Sequence, residues 1–146
     1  MARFSHTIEV SQPPEAVFPW LLEADRVPRW TGHLEAYEQL TGGPVGRGSR
    51  MRETIELSGT RVSFVLEVVS YDPPRAAEAR FDTNGVQVVN VYALEPAGAG
   101  TRVTQSLDAK PTSFGARMLI PVVRPRLERK LTEDLERLRA LLVGGG

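Results

Sequence analysis

Two periodicities divide this chain. Residues 37–108 alternate apolar and polar with period two, cut by Gly and Pro turns, whereas from Leu127 the leucines fall at 127, 131, 135, 138 and 142. Steps of 4, 4, 3 and 4 draw one apolar stripe down a helix. Alternation with period two marks strands with one face in the core and one in water. Phe4, His6, Ile8 and Val10 share a face of a first strand. Ser11 then offers a helix N-cap, with Pro13, Pro14 and Glu15 in the first turn. Pro19 cannot donate a backbone bond, so that helix should be short or bent. A second short helix is expected around residues 24–30. A strand over 33–40 follows, its phase left open.

The next strands read more clearly. Met51, Glu53, Ile55 and Leu57 share one face, and Val62, Phe64, Leu66 and Val68 the next. Ser58-Gly59 turns the chain between them. Asp72-Pro73-Pro74 and Asn84-Gly85 are strong turns, the latter suited to positive φ. Ala77, Ala79 and Phe81 face inward together. So do Val88, Asn90, Tyr92 and Leu94, and finally Val103, Gln105 and Leu107, with residues 95–100 read as a loop. Pro121 and Pro125 should kink or interrupt the last helix before about Arg126. The order is strand, two short helices, six strands, long helix. A sheet of seven antiparallel strands must curl to bury its apolar face. One helix fills the concave side incompletely, so a cavity is expected.

Composition narrows the chemistry. A chain of 146 residues suits one domain, 1–146, with enough core to need no staples. There are no cysteines, which removes disulfides, thiolate metal sites and cysteine nucleophiles. Lys+Arg and Asp+Glu number 18 each, so no net charge points to nucleic acid. His6 and His33 are the only histidines and have no motif spacing, so no metal and no cofactor is expected. The N-terminus lacks the apolar run of a signal peptide, and no apolar stretch could insert stably in a membrane, so a cytoplasmic location is expected. The oligomeric state is left open, and residues 144–146 should fray.

Short segments in a fixed order carry a resemblance. They are residues 8–17 (IEVSQPPEAV), 27–30 (VPRW), 43–49 (GPVGRGS), 71–75 (YDPPR), 94–96 (LEP) with 100–104 (GTRVT), and the leucine stripe over 131–142. Together they resemble the START/Bet v 1-like superfamily (SRPBCC; polyketide cyclase/dehydrase and lipid transport). The resemblance implies an α+β helix-grip fold, a curved seven-stranded sheet around a long C-terminal helix. It also implies an apolar cavity for a lipid-, polyketide- or isoprenoid-like molecule. It transfers no catalytic residue, because no catalytic motif is common to the superfamily.

Within such a cavity the sheet side would be Met51, Glu53, Ile55, Phe64, Leu66, Phe81, Asn90, Tyr92 and Gln105. The helix side would be Phe114, Met118 and Val122. Glu53 on an apolar face would have a raised pKa and could act as acid or base, unless it pairs with a cation or a bulge turns it outward. His6 is a second candidate for proton transfer, against an ordinary place in the core or at its rim. Tyr92 is the third. Asn90, Tyr92 and Gln105 could orient a ligand, or simply bond one another. Small Ala77 and Ala79 would leave volume empty. Lys130/Asp134 and Arg129/Glu133/Arg137 read as pairs on a solvated helix face. Trp20 and Trp30 read as core anchors. The glycine-rich 42–48 turn lacks a Gly-Lys-Ser/Thr ending and a following helix, so it is no phosphate cradle. Three functions remain: a binder or carrier of a small hydrophobic molecule, a cyclase/dehydratase-type enzyme using cavity acids and bases, or an interaction module of co-chaperone or antitoxin type.

Overall fold

A computed structural model describes residues 2–57 and 59–144. Strand β1 (Ala2–Val10) leads to a single turn of helix, α1 (Pro14–Val17). Strands β2 (Leu34–Gln39), β3 (Arg50–Leu57), β4 (Thr60–Asp72), β5 (Ala76–Thr83), β6 (Val86–Ala97) and β7 (Gly100–Pro111) follow, then helix α2 (Phe114–Gly144). The sheet order is β1-β7-β6-β5-β4-β3-β2, every neighbouring pair antiparallel. Five of the six neighbouring pairs are thus simple hairpins, and only β1 closes onto β7 from the far end of the chain. The leucine stripe packs into the core, with Leu131, Leu135, Leu138 and Leu142 all buried.

The short helices differ from the sequence reading. Helix α1 starts after Pro13, with no side-chain cap, so Ser11 does not serve as one. Pro19 forces the chain directly into a 3-10 turn, Phe18–Trp20. The expected helix around 24–30 is one more 3-10 turn, Val27–Arg29. Trp30 is buried and donates its indole N–H to the Trp20 carbonyl at 2.8 Å. Trp20 itself is half-buried, with the Arg26 and Arg29 guanidiniums 5.2 and 4.8 Å from its ring centre.

Two irregularities explain where the alternation blurs. The β2–β3 register shifts between Leu34 and Ala36, so Leu34 and Tyr37, three apart, both pack on the core. The β4–β5 register shifts between Val68 and Ser70, which likewise lets Val68 and Tyr71 share a side. The turns hold better. Asn84 and Gly85 take φ of 49° and 78°, as a tight hairpin demands. Ser58 of the Ser58-Gly59 turn lies outside the described residues, as do Gly145 and Gly146 of the tail. Residues 95–100 are not a loop: β6 continues to Ala97 and β7 begins at Gly100.

Helix α2 runs unbroken through Pro121 and Pro125, against the expected interruption. The two prolines stand four residues apart on the exposed side. The carbonyls they leave unbonded, on Arg117 and Pro121, can therefore be hydrated, and the helix survives the loss.

Candidate functional site

Between the concave sheet and α2 lies a cavity of about 300 Å³, near the lower end of small-molecule sites. The strand alternation carries its wall. Glu53 and Ile55 on β3, Phe64 on β4 and Phe81 on β5 point in, as do Asn90 and Tyr92 on β6 and Gln105 on β7. Phe64 and Phe81 stack with ring centres 4.0 Å apart. Exposed Asn84 and Leu119 also line it, which places the mouth between the β5–β6 turn and the start of α2.

Several expected wall residues stand elsewhere. Met51 and Leu66 share the inward face but are sealed in the packed core, beyond the end of the cavity. Ala77 and Ala79 are likewise part of that filled core. Phe114, Met118 and Val122 lie on the solvent side of α2, and Ala116, Ile120, Val123 and Leu127 face the cavity instead. The first three turns of α2 are apolar on both sides, so helical spacing alone admits either choice. His6 faces α2 but not the cavity. It bonds Glu136 at 2.9 Å, holding that carboxyl below its ordinary range with help from Arg139.

Five polar side chains of the sheet line the cavity: Tyr37, Glu53, Asn90, Tyr92 and Gln105. Glu53 is raised from 4.5 to about 7, mainly because burial disfavours its charge, with Lys130 opposing and Asp134 adding to the rise. Its cross-strand partner is Tyr37, whose hydroxyl donates to the Leu22 carbonyl at 3.0 Å. Burial pushes the Tyr37 and Tyr92 hydroxyls well above the ordinary phenol range. Gln105 donates through Nε2 to Asn90 Oδ1 at 2.9 Å and to Tyr92 Oη at 3.3 Å. The amides therefore do bond each other. Gln105 Oε1 is buried without a partner among the described residues.

The Lys130–Asp134 pair is not on a solvated face. It lines the cavity, with Nζ to Oδ2 at 2.5 Å and Asp134 only 6% exposed. Asp134 also accepts from the Gly32 N–H at 2.8 Å and pairs with Arg137 at 3.2 Å, a partner expected for Glu133. The sequence carried a signal for this: Asp134 lies seven residues, two helical turns, after Leu127 on the inward stripe. Tyr37 was hidden by the bulge in β2.

Glu53 should make stability depend on pH. The folded chain binds this proton more tightly than the unfolded chain. The associated stability is therefore complete below about pH 4.5 and is lost as pH rises to about 7. A shift of this size corresponds to a loss of about 3 kcal/mol. Glu53→Gln should remove this slope, and denaturant melts of both proteins from pH 4 to pH 8 check it. Parallel curves would contradict the assignment.

A curved seven-stranded sheet gripping one long helix over a mostly apolar cavity defines the helix-grip class. Residues 1–143 match the family described as polyketide cyclase/dehydrase and lipid transport, and the chain belongs to that family. No curated protein matches the chain in sequence. Among solved structures it is similar to TTHA0849 from Thermus thermophilus, with TM-score 0.82, 17% identity and 99% of each chain covered. It is also similar to Ara h 8.0201, with TM-score 0.76, 14% identity and 98% of each chain covered. A Deinococcus radiodurans protein, DR_A0006, aligns over 100% of both chains with TM-score 0.71 and 18% identity. At these identities the likeness concerns the fold.

Proposed function

We propose that this protein binds a small, largely apolar molecule in the cavity beneath α2 and acts as its carrier. The observation that carries the reading is the cavity itself: an apolar chamber of about 300 Å³ whose polar groups gather around Glu53 and Tyr92. Apolar walls supply affinity, and a few placed polar groups orient the guest. The family description, which names lipid transport, agrees with this. An interaction module would ask for a filled interior, and the open cavity speaks against it.

The enzyme reading keeps one specific support. A carboxyl near pH 7 in a cavity is suited to both giving and taking a proton. Of the acid–base candidates only Glu53 and Tyr92 line the cavity, since His6 is engaged elsewhere.

Native mass spectrometry of the protein purified from its own source tests the carrier reading. It should show a co-purifying small molecule. Leu107→Trp, which fills the chamber from β7, should lose that added mass while keeping the parent's circular dichroism. An unliganded parent, or a Leu107→Trp variant that keeps the added mass, would overturn the reading. Glu53→Gln separates the alternatives: a carrier keeps its guest, whereas a cyclase or dehydratase loses turnover of that guest.

A further inference from the structure

Among the described residues, the first three turns of α2 present an apolar outer face that nothing covers. Among the described residues six large hydrophobic side chains are exposed, and four of them fall within nine residues: Phe114 (77%), Met118 (62%), Leu119 (53%) and Val122 (68%). Exposed Pro121 and Pro125 extend the same side. Single exposed apolar residues are ordinary, but a contiguous patch marks an interaction surface. A helix apolar on every side is normally buried. Here the inner side covers the cavity and the outer side meets water.

The charge of the segment that carries this patch is one-sided. Residues 109–127 hold Lys110, Arg117, Arg124 and Arg126 and no Asp or Glu, in a chain whose net charge is zero. Arg124 is tied to Glu128, whereas Lys110, Arg117 and Arg126 make no ion pair among the described residues. From about Arg126 onward the outer side of α2 turns charged, with Arg126, Arg129, Glu133 and Arg137 all exposed or half-exposed. The apolar, cationic part is therefore confined to the cavity mouth, where Leu119 belongs both to the patch and to the cavity lining.

We infer that this face docks peripherally on an anionic lipid surface, with Phe114, Met118 and Val122 entering the headgroup boundary and Arg117 and Arg126 meeting lipid phosphates. An apolar stripe flanked by arginines is the pattern of an interfacial helix. Docking there puts the mouth of the cavity against the apolar phase. It is not insertion: no helix among the described residues is long and apolar enough to cross a membrane. A second copy of the chain fits the patch less well, because a face-to-face dimer would set two cationic rims against each other.

Vesicle co-sedimentation tests this with no added guest, so the result is independent of the carrier reading. The parent should sediment with phosphatidylcholine–phosphatidylglycerol vesicles, not with phosphatidylcholine alone, and salt should release it. Phe114→Ser/Met118→Ser should weaken binding by about tenfold or more. Arg117→Glu/Arg126→Glu should weaken it by about fivefold or more for each position. These side chains are on the outside of the fold, so circular dichroism and melting should match the parent. Leu107→Trp should bind vesicles as the parent does, which separates failure of docking from failure of cavity binding. The inference is overturned by an absence of binding to either vesicle, by equal binding to both, or by binding that both double variants leave unchanged. A parent dimer abolished by Phe114→Ser/Met118→Ser, without vesicle binding, would assign the face to self-association instead.

Discussion

Gly100→Ala is expected to cost about 4 kcal/mol or more, because nothing yielding stands where the new methyl must go. A Cβ on Gly100 would lie 1.9 Å from the Val10 carbonyl oxygen and 2.9 Å from its carbon. Both atoms are backbone, so no rotamer change can make room. The chain is held at this point from two directions. Val10 pairs with Thr101 across β1 and β7, and the buried Thr101 hydroxyl donates to the Gln12 carbonyl at 2.7 Å. Moving the strands apart would strain that pairing and that bond together. For a chain of this size about 3 °C of Tm is lost per kcal/mol, so a fall of about 12 °C is expected. Gly115→Ala is the matched control. Its Cβ would meet nothing within 4 Å, and Gly115 is only the second residue of α2, where alanine gains less than the ~1 kcal/mol of a helix interior. The same chemical change should thus leave Tm level or slightly raised in α2 and lower it sharply at the β1–β7 junction. A Gly100→Ala melt indistinguishable from the parent's would sink the argument.

Which parts of this structure could be read from the residues depends on how many faces each element buries. Strands β3 to β7 bury one face, so strict alternation placed Glu53, Phe64, Phe81, Asn90, Tyr92 and Gln105 on the inward side, where the structure has them. Alternation cannot say how far along that side the cavity extends, which is why Met51 and Leu66 turned out to be packed core. In β2 a one-residue slip resets the phase, and a bulge leaves no compositional mark in six residues. At the start of α2 both sides are apolar, because one covers the cavity and the other is exposed. Spacing alone could not choose between Phe114, Met118, Val122 and Ala116, Ile120, Val123, Leu127. Lys130 and Asp134 misled for a different reason. An i,i+4 ion pair usually marks a wet helix face, and here the same pair bounds a buried chamber.

That buried pair supports the second large expectation. Asp134→Ala should destabilise the fold by about 3–5 kcal/mol, because it leaves the Lys130 ammonium in a nearly dry site without its partner. The Gly32 N–H also loses its acceptor. Arg137 suffers less, since it keeps its bond to the Trp30 carbonyl at 2.9 Å. Removing the stranded cation should therefore recover part of the loss. Asp134→Ala/Lys130→Met should be more stable than Asp134→Ala alone, with the unpaired Gly32 N–H still costing about 1–3 kcal/mol. The two variants should also move Glu53 in opposite directions. Asp134 raises the Glu53 pKa and Lys130 lowers it. With Asp134 gone, the released Lys130 ammonium acts on Glu53 unopposed, and the Glu53 midpoint should fall below about 7. With both gone, burial alone acts, and the midpoint should return upward. Chemical denaturation of the four proteins of the double-mutant cycle measures the stability coupling, and a carboxyl NMR titration of Glu53 measures the shift. If the double variant is no more stable than Asp134→Ala, or if Glu53 titrates alike in both, Lys130 and Asp134 do not act on the cavity as a coupled pair.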